Sequence, residues 1–96
     1  MEIFIDNKKI FPADAKQVDQ SFDLNSLFDG WVKCNDNSVP KNAPTSGYSF
    51  YRNLTFMPGT VMQLAFVLNY SSDKSTVNLY SRVMALNNWQ GWTKNF

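Results

Sequence analysis

The side chains best suited to contact another molecule are concentrated near the C-terminus. Trp89 and Trp92 flank Gln90 there, and Asn87 and Asn88 precede them. An indole ring can stack on the face of a sugar while side-chain amides bond its hydroxyl groups. The segment is therefore a candidate glycan-binding surface. The alternative is that the indoles close the hydrophobic core, which is favoured for Trp92 and left open for Trp89.

Three further residues complete the set of candidate glycan-binding residues: Tyr70, Asp73 and Arg82. Arg82 can hold an acidic sugar or a phosphate, but a cation–π brace over Trp89 is the favoured role. Tyr70 can form the aromatic base of a site in the loops, and Asp73 lies in the serine-rich turn that follows it. The polar loop at 35–37 is another candidate. For any single loop residue a solvated turn is the simpler interpretation.

The composition argues against an enzyme. Among 96 residues there is no histidine and one glutamate, so neither a Ser-His-Asp nor a Cys-His site can form. Glycoside hydrolysis would require two carboxylates from scattered aspartates, and Cys34 is expected to be a buried structural thiol. The chain has no thiolate cluster, phosphate loop or spaced set of calcium ligands. We therefore expect no catalysis, cofactor or metal.

Charge and hydropathy also restrict the partners. The net charge is +1 and the basic residues are dispersed, which gives no reason to expect nucleic acid. No run of about 18 apolar residues is present, so membrane insertion is not expected. A single cysteine excludes an internal disulfide framework. The chain must therefore be stabilised by packing or by partner chains.

Alternating hydrophobicity predicts the scaffold that positions these residues. The segment 61–70 is apolar at every even position, which indicates a central strand with that face against the core. Strands are also predicted at 31–34, 48–56 and 76–86, and Pro58-Gly59 suits a type II turn. The predicted fold is mainly β with a minor helical part: a small antiparallel sheet or meander with one or two short helical turns.

The helical turns are predicted near the N-terminus. Residues 14–17 have the spacing of a capping box, and Leu24, Leu27 and Phe28 have helical spacing behind a capping Asp23. Trp31, which follows, is expected in the core. Gly91 predicts a bulge that brings residues of opposite parity to one side. The interpretation divides the chain into a connecting segment, 1–22, and a β domain, 23–96.

An ordered set of short motifs spans the second of these regions. The set is Asp23-Leu-Asn-Ser-Leu27, Gly30-Trp31, Asn42-Ala-Pro44 with Gly47, Gln63, Tyr80-Ser-Arg82 and Trp89-Gln-Gly-Trp92. In this order it resembles the pyocin-knob type of domain, which is found in tail fibres of R-type pyocins and in phage tail-fibre or baseplate proteins. The resemblance covers about three quarters of the chain, residues 23–96.

This resemblance implies a receptor-binding knob in a virion tail. The implied partners are a polysaccharide of the bacterial cell envelope, other tail or baseplate proteins, and further copies of the chain in a homotrimer. Residues 1–22 would join the knob to an upstream shaft, and the chain would be a fragment of a fibre or an accessory subunit. Two alternatives stay open: a structural domain for trimerisation or spacing, and a carbohydrate-binding module of a wall-associated protein.

Overall fold

The computed structural model describes residues 15–96, together with the backbone of two strands at 3–5 and 8–11. The strands in these parts of the chain are β1 (Ile3–Ile5), β2 (Lys8–Phe11), β3 (Lys16–Gln17), β4 (Trp31–Cys34), β5 (Tyr48–Met57), β6 (Thr60–Asn69), β7 (Thr76–Ala85), β8 (Asn88–Trp89) and β9 (Thr93–Lys94). The predicted mainly-β class is confirmed. Among the same residues no helix is long and apolar enough to cross a membrane.

The strands form two sheets. β1 and β2 pair with each other, and the other seven form one mixed sheet in the order β3-β4-β5-β6-β7-β8, with β9 also paired to β7. The helical start predicted at 14–17 is replaced by strand: Asp14 lies outside the described residues, while Lys16 and Gln17 pair in parallel with Val32 and Lys33. Hydrogen bonding to the edge of β4 thus overrides the local capping signal.

The predicted meander is formed by β4 to β7. Strands β5, β6 and β7 each span ten residues and pair antiparallel along almost their whole length. Met57 and Thr60 close the first long hairpin around Pro58 and Gly59. Gly59 has a φ of 83°, the left-handed conformation that a type II turn requires at its second central residue.

The prediction of which side of β6 faces the core was wrong. Val61, Gln63, Ala65 and Val67 are buried, with exposed fractions of 1% or less. The apolar even positions, 62 to 68, are only half-buried. The more apolar side of the strand is therefore the less covered one, because coverage depends on which segments pack against the sheet.

Two irregular segments, 18–30 and 35–47, supply that coverage on the odd-numbered side of β6. The core consists of Val18, Leu24, Val32, Cys34, Tyr51 and Ala65, with Phe22, Phe28, Val39, Ala43, Tyr80 and Trp92 packed around it. Fully burying one such large side chain stabilises the fold by about 1.5–3 kcal/mol. Cys34 is a buried free thiol, as predicted, and burial raises its pKa, which keeps it in the unreactive form.

The predicted helical turn over Leu24, Leu27 and Phe28 does not form. Leu24 instead donates its N–H to the carbonyl of Lys41, at 3.1 Å, in the other covering segment. Asp23 caps a tight turn, because its carboxylate accepts the N–H of Asn25 at 2.9 Å. Leu24 is buried as a result, while Leu27 is 60% exposed. Pairing between the two segments thus replaces helical hydrogen bonds.

The side of the meander that carries the even-numbered residues of β6 is called the outer face here, and it has four rows of three residues across β5, β6 and β7. The rows are Tyr48–Leu68–Val77, Phe50–Phe66–Leu79, Arg52–Leu64–Ser81 and Leu54–Met62–Val83. Trp31 extends this face: its ring lies 5.9 Å from that of Phe66, and the Arg52 guanidinium lies 5.3 Å from its centroid. Trp31, predicted to be core, is therefore a half-buried residue of the outer face.

Candidate functional site

The centre of the candidate site is Arg82, held between two indole rings. Its guanidinium carbon lies 4.1 Å from the ring centroid of Trp89 and 4.8 Å from that of Trp92. The chain leaves the strand conformation between β8 and β9, around Gly91, so both rings reach the same side of β7. The stacking over Trp89 that the sequence favoured is thus present, with Trp92 added to it.

A buried amide network fixes the guanidinium from below. Arg82 donates through Nε to Oε1 of Gln63 at 2.8 Å. The Gln63 amide nitrogen donates to the carbonyl of Leu24 and to Oδ1 of Asn53, both at 2.8 Å, and Asn53 donates to the carbonyl of Phe28 at 3.2 Å. Gln63 is 0% exposed, so these bonds tie three neighbouring strands to the covering segment at 18–30.

The two covering segments, 18–30 and 35–47, accept hydrogen bonds from the indole nitrogens. Trp89 donates through Nε1 to the carbonyl of Asn25 at 3.3 Å, and Trp92 donates to the carbonyl of Asn42 at 2.7 Å. Asp23 joins the segments, because its Oδ1 also accepts the Asn42 side-chain amide at 2.8 Å. Each ring is therefore fixed both by its N–H and by the cation that it covers.

The Arg82 side chain is cationic at neutral pH although it is buried. Burial lowers its pKa to about 10, and the Asp23 carboxylate opposes that shift. One terminal nitrogen, Nη2, is buried and has no hydrogen-bond partner among the described residues. The faces of the indole rings supply part of the missing stabilisation, because an aromatic quadrupole attracts a cation most strongly where water is excluded. Arg82 therefore acts as a clamp beneath the surface.

The predicted binding residues lie in two separate places. Asn87, Asn88 and Gln90 are exposed beside the half-buried Trp89, in a segment after β7 that we call the tip loop, residues 86–90. Arg82 is only 6% exposed, so it offers little surface to a ligand. Its effect on a ligand must therefore pass through the tryptophans that it holds.

Tyr70 and Asp73 lie at the opposite end of the sheet. Tyr70 is 77% exposed and follows β6, whereas the tip loop follows β7, and the two long strands are antiparallel. Ten residues of strand separate these ends by roughly 33 Å. The structure therefore brings Asn87, Asn88, Trp89, Gln90 and Trp92 together, and it does not bring Tyr70 or Asp73 to them.

The tip loop has a defined backbone conformation. Leu86 and Asn87 have φ angles of 51° and 65°, in the left-handed region that is costly for most residues. Asn87 donates its N–H to the carbonyl of Gly59 at 3.2 Å, and Gln90 donates to that of Val83 at 2.8 Å. These bonds attach the loop to the β5–β6 turn and to β7.

Sequence reasoning did not assign a site role to Gln63 or Asn53. The available signal was a polar residue inside an otherwise apolar strand, since a buried amide must find partners. Among residues 15–96 no group of three or more potential metal ligands occurs.

We expect acid to weaken the contact between the covering segments. Hydrogen bonds from Asn25 and Asn42 hold the pKa of Asp23 below its usual value, and the charges of Lys41 and Arg82 act in the same direction. A pKa lower in the folded state stabilises that state above the unfolded pKa, and the stabilisation is lost as the pH falls through the folded value. Urea midpoints should therefore fall below about pH 4.

An Asp23→Asn variant should show a shallower fall of the midpoint over the same range. The matched control is Asp19→Asn. Hydrogen bonds from Ser21 lower the pKa of Asp19 as well, but Asp19 does not join the two segments. An Asp23→Asn profile parallel to that of the unmodified chain would contradict this assignment.

Comparison with protein-family models, with curated proteins and with solved structures finds no significant match to this chain.

Proposed function

We propose that this chain is a receptor-binding domain of a phage or prophage tail, which attaches to a bacterial surface polysaccharide without cleaving it. The contact surface is the tip loop. The observation that carries the proposal is its construction: exposed amides of Asn87, Asn88 and Gln90 stand beside Trp89, which is fixed by the Arg82 clamp. A site whose groups are already ordered loses less entropy when it binds.

The chemistry of the tip loop suits a sugar. Side-chain amides both donate and accept hydrogen bonds, as sugar hydroxyl groups require, and an indole edge or face provides apolar contact for the ring carbons. No ionised side chain occurs between 86 and 92. The preferred ligand is therefore a neutral part of a polysaccharide.

The tail assignment rests on the ordered motifs that resemble the pyocin-knob type of domain. Several of these motif residues have a physical role in the fold. Arg82, the clamp, bonds to Gln63 and stacks on Trp89 and Trp92, and the Asn42 carbonyl accepts the Trp92 N–H. In this proposal the partners are the envelope polysaccharide and other tail or baseplate proteins, with a homotrimer as the assembly. The location is the virion tail.

Binding to envelope polysaccharides tests the proposal. The purified chain is titrated against whole bacterial cells and against a panel of isolated capsular, lipopolysaccharide and wall polymers. An Asn88→Ala/Gln90→Ala variant should bind at least about tenfold more weakly, because it loses two hydrogen bonds worth about 1 kcal/mol each. The matched control is Gln17→Ala/Gln20→Ala, which removes two exposed amides away from the tip loop.

Three outcomes would contradict parts of this proposal. Absence of binding to every cell and polymer overturns the function. Equal loss in both double variants overturns the tip loop as the site. Loss on Tyr70→Ala with full binding by the Asn88→Ala/Gln90→Ala variant moves the site to the other end of the sheet.

An assembly domain is the second candidate function. The observation that favours it is the outer face, where ten of the twelve residues in the four rows are apolar. The two functions use different surfaces and can occur in the same molecule.

A further inference from the structure

The turn that connects β7 to β8 contains a leucine where a smaller residue is favoured. Ala85 pairs with Asn88, so Leu86 and Asn87 form a two-residue hairpin connection, and both have positive φ angles. This is the pattern of a type I′ turn, whose central positions favour asparagine, aspartate and glycine. Asn87 meets that preference. Leu86 does not, because the side chain of a bulky L-residue crowds the following carbonyl oxygen in the left-handed region.

Leu86 is also the most exposed of the large hydrophobic side chains in the described part of the chain. Its exposed fraction is 85%, so it contributes little apolar burial to the stability of the fold. An asparagine in its place would relieve the backbone strain and remove apolar area from water. Backbone strain that the fold does not require is concentrated at sites that bind another molecule. The leucine therefore points to a ligand.

Hydrogen bonds hold Leu86 in a fixed position beside the polar side chains of the tip loop. The Asn88 side-chain amide donates to the carbonyl of Leu86 at 3.2 Å. The Asn87 N–H donates to the carbonyl of Gly59, also at 3.2 Å, which attaches the turn to its neighbour between β5 and β6. An ordered apolar group thus stands next to side-chain amides, and binding it costs little ordering entropy.

The chemistry of this end of the sheet restricts the ligand. Residues 53–62 and 83–93, which form the two turns and the strands next to them, include no ionised side chain. A charged group of a ligand therefore finds no countercharge in these segments. A hydrocarbon layer is also disfavoured, because the exposed amides of Asn87, Asn88 and Gln90 would lose their water without gaining hydrogen-bond partners.

The area of this end favours a small group over a protein. The tip loop and the β5–β6 turn join four neighbouring strands, which together are about 14 Å wide, so the end of the sheet presents on the order of 200 Å². A protein partner normally covers about 800 Å² of each surface. A methyl group attached to a sugar, whose hydroxyl groups bond to the amides, matches both the area and the chemistry.

We propose that Leu86 contacts a methyl group of the receptor sugar, carried as an acetyl substituent or as the methyl of a 6-deoxy sugar, while Asn88 and Gln90 bond to the polar groups beside it. The inference rests on the proposed function and specifies the class of sugar that the tip loop prefers. Removing one methyl group from contact with the leucine should weaken binding about fourfold.

Unfolding of a Leu86→Asn variant tests whether the leucine serves the fold. The equilibrium constant for folding should rise about fivefold, because asparagine tolerates the left-handed conformation. The matched control is Leu27→Asn: Leu27 is also exposed but has no positive φ, so its replacement should give no such gain. Urea unfolding followed by circular dichroism measures both. A Leu86→Asn variant no more stable than the unmodified chain would show that Leu86 packs within the chain, and it would overturn the proposal.

Competition experiments test the ligand. The unmodified chain is bound to the polymer or the cells that it recognises, and matched sugars displace it: N-acetylglucosamine against glucose, and L-rhamnose, a 6-deoxy sugar, against L-mannose. O-Acetyl groups are tested by treating the polymer with mild alkali, which removes them. In at least one comparison the methyl-bearing form should bind about fourfold more tightly, and the comparison that shows this identifies the source of the methyl group.

The variants connect that preference to Leu86. Leu86→Asn and Leu86→Gly should lose it, whereas Leu27→Asn should keep it; the glycine variant removes the side chain without adding an amide. No preference in any comparison, or a preference that changes equally in the variants at 86 and at 27, overturns the proposal. These results require a chain that binds, so they differ from failure of the proposed function, which is absence of binding to every cell and polymer.

Discussion

Replacing Gln63 by leucine is expected to lower the free energy of unfolding by about 4 kcal/mol, since three buried groups lose their partner at about 1–3 kcal/mol each. These groups are the carbonyl of Leu24, Oδ1 of Asn53 and Nε of Arg82. Leucine has a similar volume, so the loss would come from unpaired polar atoms. For a domain of 96 residues this is a large part of the total stability. Urea unfolding followed by circular dichroism measures it.

The control for this change is the same substitution at the surface. Gln20 is exposed in a turn, and Gln20→Leu should alter the free energy of unfolding by no more than about 0.5 kcal/mol. A Gln63→Leu variant as stable as Gln20→Leu would show that the amide network does not hold the covering segment.

The strands could be predicted because their signals are local. The alternation at 48–56, 61–70 and 76–86 placed each long strand within one residue of its observed ends, and Pro58-Gly59 fixed the turn between the first two. Period-two patterns specify a strand wherever one side is buried. They do not say which segment will bury it.

The orientation of the sheet could not be predicted for that reason. The core side of β6 contains Gln63 among small apolar residues, and it is covered by segments distant in sequence. One of them is bonded to Gln63 through the carbonyl of Leu24, 39 positions away. A contact between residues so far apart in sequence produces no periodic pattern from which it could be predicted. The even-numbered side is more apolar, but the covering segments at 18–30 and 35–47 do not lie on it.

The candidate site was predictable in part. Arg82 and Trp89 are close in sequence, which suggested that the cation stacks on that indole, and Gly91 suggested a bulge that brings residues of opposite parity to one side. In the structure both Trp89 and Trp92 stack on Arg82. Tyr70 and the tip loop lie at opposite ends of the sheet because β6 and β7 are antiparallel. The hydrogen bonds from the indoles to Asn25 and Asn42 depend on irregular segments, whose paths are set by tertiary contacts.

Replacing Arg82 by alanine is expected to lower the free energy of unfolding by about 3–5 kcal/mol, within the range found when one member of a buried polar network is removed. The variant leaves Oε1 of Gln63 unpaired and opens a space between Trp89 and Trp92. Arg82→Met should cost less than alanine, because a thioether refills that space and contacts aromatic rings favourably. Both variants are compared by urea unfolding at one protein concentration.

Tryptophan fluorescence separates the clamp from a general loss of stability. In folded Arg82→Ala, the rings of Trp89 and Trp92 should become more exposed, and the emission should shift to the red under conditions where circular dichroism is unchanged. The matched control is Arg52→Ala, because Arg52 also stacks on an indole, that of Trp31. Arg52 is half-buried, so its loss should cost about 1 kcal/mol or less.

Comparing the stability and polysaccharide binding of these variants shows how the buried cation supports the tip loop. If packing between the rings is the main effect, Arg82→Met keeps Trp89 in place and retains most of the polysaccharide binding, while Arg82→Ala loses both. If the charge itself holds the rings, methionine and alanine behave alike. Equal free energies of unfolding for Arg82→Ala and Arg52→Ala would contradict the clamp. Arg82 is 6% exposed and bonded to a buried amide, so its loss should lower the free energy of unfolding by more than the loss of a surface contact does.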